Sequence, residues 1–141
     1  MAIVYLGVGS NMGDRLLNIQ QAITALINKG VVVTAQSTLI ETDPVGGPPQ
    51  GLFLNGALKA ETDLEPLALL TVLKKIEQDM GRVKTVQDGP RPIDIDILLY
   101  EGVEMNTSPL TIPHPRMRQR DFVMTPLREI FPDVDRIKEA K

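Results

Sequence analysis

The chain of 141 residues contains no cysteine, no tryptophan and a single histidine. The absence of cysteine excludes disulfide frameworks, cysteine zinc sites and thiol catalysis. One histidine cannot form a histidine-rich metal site. There is no basic excess either, because 15 Lys and Arg stand against 18 Asp and Glu, for a net charge of −3. A general nucleic-acid binder would carry more positive charge, so we expect no nucleic-acid partner.

Long hydrophobic runs are also lacking. No apolar stretch approaches the ~20 residues that a membrane helix needs, so we expect no membrane partner. The N-terminal apolar run has no basic start and is interrupted by Gly7. We interpret it as a buried strand and not as a signal peptide, which predicts a cytoplasmic protein.

What is present is a hydrophobic fraction of 43%, enough for a core, in a length that suits one domain over residues 1–141. Strand-forming residues at 2–8 precede a helix with an apolar stripe from Leu16 to Ile27. Strands are predicted at 31–40, 52–61 and 93–100, and a second helix from a cap at Asp63 to Gly81. A hairpin near 103–112 and a helical turn near 124–130 follow. This β-α-β-β-α-β order predicts an α+β, ferredoxin-like sandwich with a mainly antiparallel sheet and a C-terminal hairpin and helix addition.

The sharpest local signal is a pair of aspartates, Asp94 and Asp96, in the last predicted strand. Residues two apart in a strand point to the same face, so the carboxylates stand together while Ile93, Ile95, Ile97 and Leu99 face the other side. Crowded carboxylates invite a cation, and oxygen ligands suit Mg²⁺. The alternative is a half-exposed strand with two surface aspartates.

Arginines lie near this pair in the sequence. Arg91 is three residues upstream, and Arg116, Arg118 and Arg120 alternate further on, so that in an extended loop they would point the same way. Carboxylates for a metal and guanidinium groups for phosphate oxygens are what a metal-bound polyphosphate requires. Salt bridges between arginine and aspartate are the alternative. The long irregular stretches at 43–52 and 82–92 are candidate lids.

Few aromatic residues are available, and two of them lie beside these segments. Phe53 follows the loop rich in Gly and Pro, and Phe122 follows the arginines, so the two could enclose a flat heterocycle or, alternatively, pack in the core. Asn55 shares a strand face with Phe53, and its amide could form hydrogen bonds with the polar atoms at the edge of a heterocyclic ring. The spacing Gly7-x-Gly9-x-x-x-Gly13 does not match a dinucleotide fingerprint, and we interpret it as a tight turn from strand to helix.

These segments together resemble one family. The similarity covers residues 5–11, 41–46, 53–55, 81–83, 89–98 and 112–122, and its most specific part is Gly-Pro-Arg-x-x-Asp-x-Asp at 89–96. The chain resembles the 6-hydroxymethyl-7,8-dihydropterin pyrophosphokinases (diphosphokinases) of folate biosynthesis. It departs from some members in having Gln87 and Asp88 in place of a bulky aromatic, Lys84 where arginine is common, and a short C-terminus.

The resemblance implies transfer of the pyrophosphoryl group of ATP to the hydroxymethyl group of the pterin, with release of AMP. It implies that Asp94 and Asp96 hold two Mg²⁺ ions and that Arg82, Arg91 and Arg120 are catalytic. The implied ATP site comprises Glu77, Arg82, Lys84, Arg91, Ile97, Thr111, His114 and Arg120. The implied pterin site comprises Thr42, Pro44, Val45, Phe53, Asn55 and Phe122. We expect a monomer; a metal-free effector-sensing domain and a dinucleotide-dependent oxidoreductase are the rival interpretations.

Overall fold

The computed structural model describes residues 1–44, 47, 49–81 and 91–137. The strands are β1 (Ala2–Ser10), β2 (Val31–Gln36), β3 (Ile40–Thr42), β4 (Phe53–Thr62), β5 (Asp94–Tyr100), β6 (Met105–Asn106) and β7 (Thr111–Ile112). The helices are α1 (Arg15–Asn28), α2 (Pro66–Asp79) and α3 (Asp121–Ile130), with 3₁₀ turns at Met117–Gln119 and Pro132–Arg136. None of the helices within these ranges has the length and apolar character needed to cross a membrane.

The main sheet is antiparallel and has the strand order β2-β4-β1-β5, with β3 also paired to β4. The central strand β1 alternates, so that Val4, Leu6 and Val8 are buried on one face. That face is covered by α1 and α2, which contribute Ile19 and Leu73 among others to the core. The predicted ferredoxin-like sandwich is therefore confirmed.

The opposite face of the sheet is covered only in part. Helix α3 packs Met124 and Leu127 against this face, and the ring of Phe131 stacks on Tyr5 with centroids 4.7 Å apart. Because α3 is short, the ends of β1, β4 and β5 near Gly9, Phe53 and Asp94 are left open on this side. The open part is where the candidate site lies.

The bounds of several strands and helices differ from the predicted ones, in one case because a side chain hydrogen-bonds to the backbone. The predicted strand 31–40 is divided into β2 and β3, because the buried Ser37 hydroxyl accepts a hydrogen bond from Ala57 N (2.8 Å) and donates one to Thr38 O (2.9 Å). Helix α2 begins after Glu65, not at a cap by Asp63, whose carboxylate lies 3.5 Å from the N-terminal amine. Helix α3 is longer than the predicted turn.

Strand β5 breaks the predicted alternation near its end. Its pairing with β1 shifts register between Leu6–Ile97 and Tyr5–Leu99, which leaves Leu98 as an extra residue. Leu98 and Leu99 both pack on the α3 side, so the expectation that Leu99 shares a face with Ile97 is wrong. The alternation holds from Ile93 to Ile97, which is the stretch that presents the two aspartates.

Ser37 offers a test of the break between β2 and β3. Replacing Ser37 with Ala leaves the buried Ala57 N–H without its acceptor, so the free energy of unfolding should fall by about 1–3 kcal/mol in urea denaturation. The control is Thr34→Val, which removes an exposed hydroxyl bonded to Lys59 O and should change stability by less than about 0.5 kcal/mol. Equal effects of the two substitutions would contradict this role for Ser37.

Candidate active site

The open end of the sheet forms a pocket with a cavity of about 190 Å³. Its floor is the sheet, and its far wall is the segment that leads into α3. The residues that line it are Gly7, Val8, Gly9, Thr42, Asp43, Phe53, Asn55, Gly56, Arg91, Asp94, Asp96, Leu98, His114, Arg116, Arg120, Phe122 and Val123. The pocket therefore combines carboxylates, cationic side chains and aromatic rings.

Glycines of β1 give the pocket its floor. A Cβ on Gly9 would collide with Asn55 Oδ1 and lie 3.5 Å from Phe53 Cδ1, whereas a Cβ on Gly7 would meet the Leu98 side chain at an ordinary 3.5–3.7 Å. Both glycines are in the strand, so their prediction as turn residues is wrong. Only Gly13, with φ of 64°, serves the turn into α1.

The two aspartates lie on the pocket side of β5. Asp94 pairs with Gly9 and Asp96 with Gly7 across the strands, so no side chain opposite them fills the space. Asp94 Oδ1 is 3.3 Å from Arg91 Nη1. Burial, and then the negative charges of Asp94 and Glu77, together raise the pKa of Asp96 to about 7. The aspartate pair predicted from strand spacing is confirmed as a shared face.

This carboxylate pair fits a divalent cation. The pKa of Asp96 is raised although the charges of Lys74 and Arg120 oppose the shift, so a bound cation would relieve the remaining desolvation and repulsion. Within the part of the chain that the structure describes, no three His, Asp or Glu side chains group around one point. The remaining ligands would therefore be oxygens of a bound substrate and water, as is usual for Mg²⁺.

The side chains of Arg116, Arg118 and Arg120 do not all point in the same direction. Residues 117–119 form a 3₁₀ turn and not an extended loop, so only Arg116 and Arg120 line the pocket. Arg118 points away and donates hydrogen bonds to Val134 O (3.2 Å) and to Ile137 O. The expectation that all three point the same way is wrong, because a helical turn rotates successive side chains about its axis.

His114 is held at the pocket as a neutral donor. Its backbone N donates to Leu98 O (2.9 Å), which attaches this residue to β5. Burial, and then the charge of Arg120, lower the pKa of the imidazole. Nδ1 accepts a hydrogen bond from Arg116 N (3.3 Å), which assigns the proton to Nε2. Nε2–H can therefore donate to an anionic oxygen at neutral pH.

Aromatic and amide groups form the other side of the pocket. Phe53 and Phe122 both line it, and the Arg120 guanidinium carbon lies 5.7 Å from the Phe122 ring centroid. Asn55 Nδ2 donates to Thr42 Oγ1 (2.6 Å), which fixes the amide beside Gly9 of β1. The cationic and aromatic sides thus meet at Arg120.

Several residues implied by the resemblance lie elsewhere. Glu77 is buried on α2 and accepts a hydrogen bond from Ile95 N (2.9 Å), Ile97 lies in the core beneath the helices, and Thr111 lies in β7. Neither these three nor Pro44 is among the lining residues. Val45, Arg82 and Lys84 lie outside the described residues.

Sequence reasoning did not place several lining residues in the site. They are Gly7, Val8, Gly9, Asp43, Gly56, Leu98, Arg116 and Val123. The two-residue spacing of the β1 glycines was a usable signal, because it puts both on one face of a strand. Arg116 was noted as part of the arginine cluster, whereas the position of Leu98 depends on the bulge in β5.

Comparisons with known proteins agree on one family. A family model described as 7,8-dihydro-6-hydroxymethylpterin-pyrophosphokinase (HPPK) matches residues 5–132. The chain is 45% identical over 139 residues to a 2-amino-4-hydroxy-6-hydroxymethyldihydropteridine pyrophosphokinase of Bacillus subtilis, covering 98% of the chain and 82% of the relative. The corresponding Aquifex aeolicus protein is 47% identical over 134 residues, covering 95% and 83%.

Longer relatives contain the same region within a larger chain. The mitochondrial folate synthesis bifunctional protein of Pisum sativum is 44% identical over 128 residues, which are 91% of this chain and 25% of that protein. A crystal structure of HPPK-DHPS in complex with substrates superposes with a TM-score of 0.74 at 17% identity, covering 99% of this chain and 44% of the other. At that identity the similarity shows the fold. The chain spans about a quarter of the plant protein and four fifths of the bacterial ones.

The raised pKa of Asp96 predicts how the free energy of unfolding depends on pH. Because its pKa is raised to about 7 in the fold, its protonated form stabilises the native state. That contribution is fully present below the unfolded pKa of about 4 and is lost as pH rises through about 7.

Urea denaturation with a metal chelator, at several values between about pH 4.5 and 8, tests this expectation. The free energy of unfolding of the native chain should fall, relative to Asp96→Asn, as pH rises over this interval. A difference between the two proteins that does not change with pH would contradict the raised pKa.

Proposed function

The chain belongs to the 7,8-dihydro-6-hydroxymethylpterin-pyrophosphokinase family, and we propose that its pocket performs the family's reaction with Mg²⁺ held on Asp94 and Asp96. The reaction transfers the pyrophosphoryl group of ATP to hydroxymethyldihydropterin in folate biosynthesis. The observation that carries the proposal is that one pocket brings the crowded aspartates, three arginines and two phenylalanines together.

The chemistry requires positioning and charge stabilisation. The attacking group is an ordinary hydroxyl of the pterin, and the barrier arises from charge on the phosphate oxygens. Mg²⁺, when bound, supplies positive charge to those oxygens. We assign Arg91, Arg116 and Arg120 to the same oxygens as guanidinium donors, with His114 Nε2–H as a neutral donor beside them. No covalent intermediate on the protein is needed.

The pterin belongs on the aromatic side. Phe53 and Phe122 offer the apolar faces that a flat heterocycle stacks against. The Asn55 amide, fixed by Thr42, presents its oxygen near the floor of the pocket. This arrangement directs the hydroxymethyl group toward the aspartates, since Gly9 lies between Asn55 and Asp94 in the sheet.

The other residues implied by the resemblance stay predictions for the ATP side. Arg82 and Lys84 lie outside the described residues, Ile97 lies in β5, and Thr111 lies in β7. We further propose that the chain acts as a monomer in the cytoplasm, where ATP is available.

The product of the reaction distinguishes this function from its rivals. Purified protein incubated with ATP, Mg²⁺ and 6-hydroxymethyl-7,8-dihydropterin should release AMP, because the β- and γ-phosphates leave together. Release of ADP would contradict pyrophosphoryl transfer. Absence of turnover would favour a sensing domain or an oxidoreductase.

The aspartates provide a second test of the metal assignment. Asp94→Asn and Asp96→Asn should each lower kcat by about a hundredfold or more, because the carboxylate charge that holds the cation is lost. The control is Asp79→Asn, an exposed carboxylate of α2 that pairs with Lys75 and should leave AMP release unchanged. Near-normal rates at saturating Mg²⁺ in either aspartate variant would contradict the assignment.

The β1 glycines provide a matched test of the pterin side. Gly9→Ala should weaken binding of 6-hydroxymethylpterin at least tenfold in calorimetry, because its Cβ displaces the Asn55 amide. Gly7→Ala adds the same atom at ordinary distances from Leu98 and should weaken binding less than threefold. Equal effects of the two substitutions would place the pterin elsewhere.

A further inference from the structure

Asn11 lies immediately after β1 and is almost fully buried, with 8% of its surface exposed. Its side chain makes three hydrogen bonds. Oδ1 accepts from Arg91 N (2.7 Å), while Nδ2 donates to Gln50 Oε1 (2.8 Å) and to Gly51 O (3.2 Å). Its backbone N also donates to Arg91 O (3.1 Å). One carboxamide therefore contacts two separate segments of the chain.

The two segments belong to opposite sides of the pocket. Gln50 and Gly51 lead directly into Phe53 on the aromatic side. Arg91 lines the cationic side and lies 3.3 Å from Asp94. Asn11 itself is not among the lining residues of the pocket. Its position between the two sides means that it can act on the reaction only through the groups that it holds.

We propose that Asn11 is a positioning residue that sets the distance between the two bound substrates. This inference rests on the proposed function, since it assigns the aromatic side to the pterin and Arg91 to the phosphates. The Asn11 carboxamide fixes the loop end at 50–51 and the Arg91 backbone relative to one rigid point at the end of β1. The hydroxymethyl oxygen and the phosphorus that it attacks are thereby held at a reactive separation.

Each side of the pocket keeps a second anchor when the carboxamide is removed. Arg91 stays attached through the Asn11 backbone N–H and through Asp94. The loop end stays attached through Arg15, whose Nη1 donates to Leu52 O (3.1 Å). Binding of each substrate alone should therefore persist, while the alignment of one with the other is lost. A misplacement of about 1 Å can lower a rate a hundredfold.

The test compares Asn11→Ala with Asn18→Ala. Asn18 is a matched control, because its Nδ2 likewise donates to the turn after β1, at Met12 O (2.8 Å) and Ser10 Oγ (3.3 Å), but contacts neither Gln50 nor Arg91. For both variants kcat is measured by AMP release. The Kd values of 6-hydroxymethylpterin and of a non-hydrolysable ATP analogue with Mg²⁺ are measured separately, with Tm as the measure of folding.

Asn11→Ala should lower kcat about thirtyfold or more relative to Asn18→Ala, with each Kd changed less than threefold. Asn11→Asp keeps the acceptor for Arg91 N and should recover part of that loss. A kcat within threefold of Asn18→Ala would overturn the proposal, as would Kd values that weaken as much as kcat falls.

If Asn11→Ala does not fold, Asn11→Asp is compared with Asn18→Asp in the same assays. A kcat at least fivefold lower, with both Kd values within threefold, supports the proposal, and an equal kcat overturns it. Failure of the native chain to release AMP would refute the proposed function itself, so the two failures are distinguishable.

Discussion

The rest of the site depends on the crowding of Asp94 and Asp96 on one face of β5. Burial of Asp96, and then repulsion from Asp94 at this spacing, raise the pKa of Asp96 to about 7. The residues around the two aspartates leave space for a ligand and place positive charge nearby. The glycines opposite leave room for a ligand, Arg91 lies beside Asp94, and Arg120 approaches from the α3 side. In the proposed function, a cation and the phosphate oxygens bound to it complete the site around this pair.

The ferredoxin-like sheet makes such a pair tolerable by separating core from site. Helices α1 and α2 bury one face over its whole length, and this supplies the main core. Helix α3 covers only part of the other face, so the strand ends near it remain accessible without loss of packing. Glu77 of α2 lies between the core and the site. Its carboxylate accepts a hydrogen bond from Ile95 N on the outer edge of β5, and its negative charge acts on Asp96.

The sequence predicted those features that follow from local periodicity. Strand spacing placed Asp94 and Asp96 together, and helical spacing located α1 and α2. The β5 bulge at Leu98 could not be predicted, since Ile97, Leu98 and Leu99 are all apolar and give no sign of a register shift. The direction of Arg118 depended on a 3₁₀ turn that its composition does not specify.

The contacts of Asn11 show a second limit of sequence reasoning. Its partners are 39 and 80 positions away, so no local pattern reveals that it joins the two sides of the pocket. The resemblance identified the family and many of the residues in the pocket, because these occur in short motifs. It gave no information about which buried polar groups hold those motifs in place.

Proton release on nucleotide binding tests the central claim most directly. Calorimetry of a non-hydrolysable ATP analogue with Mg²⁺, near pH 7 in buffers of different ionisation enthalpy, reports the protons lost on binding. Because Asp96 has a pKa of about 7 before binding, a cation that it helps to hold should displace about half a proton per complex. Asp96→Asn should displace none. Binding of the nucleotide to the native chain without proton release would contradict a metal site on this pair.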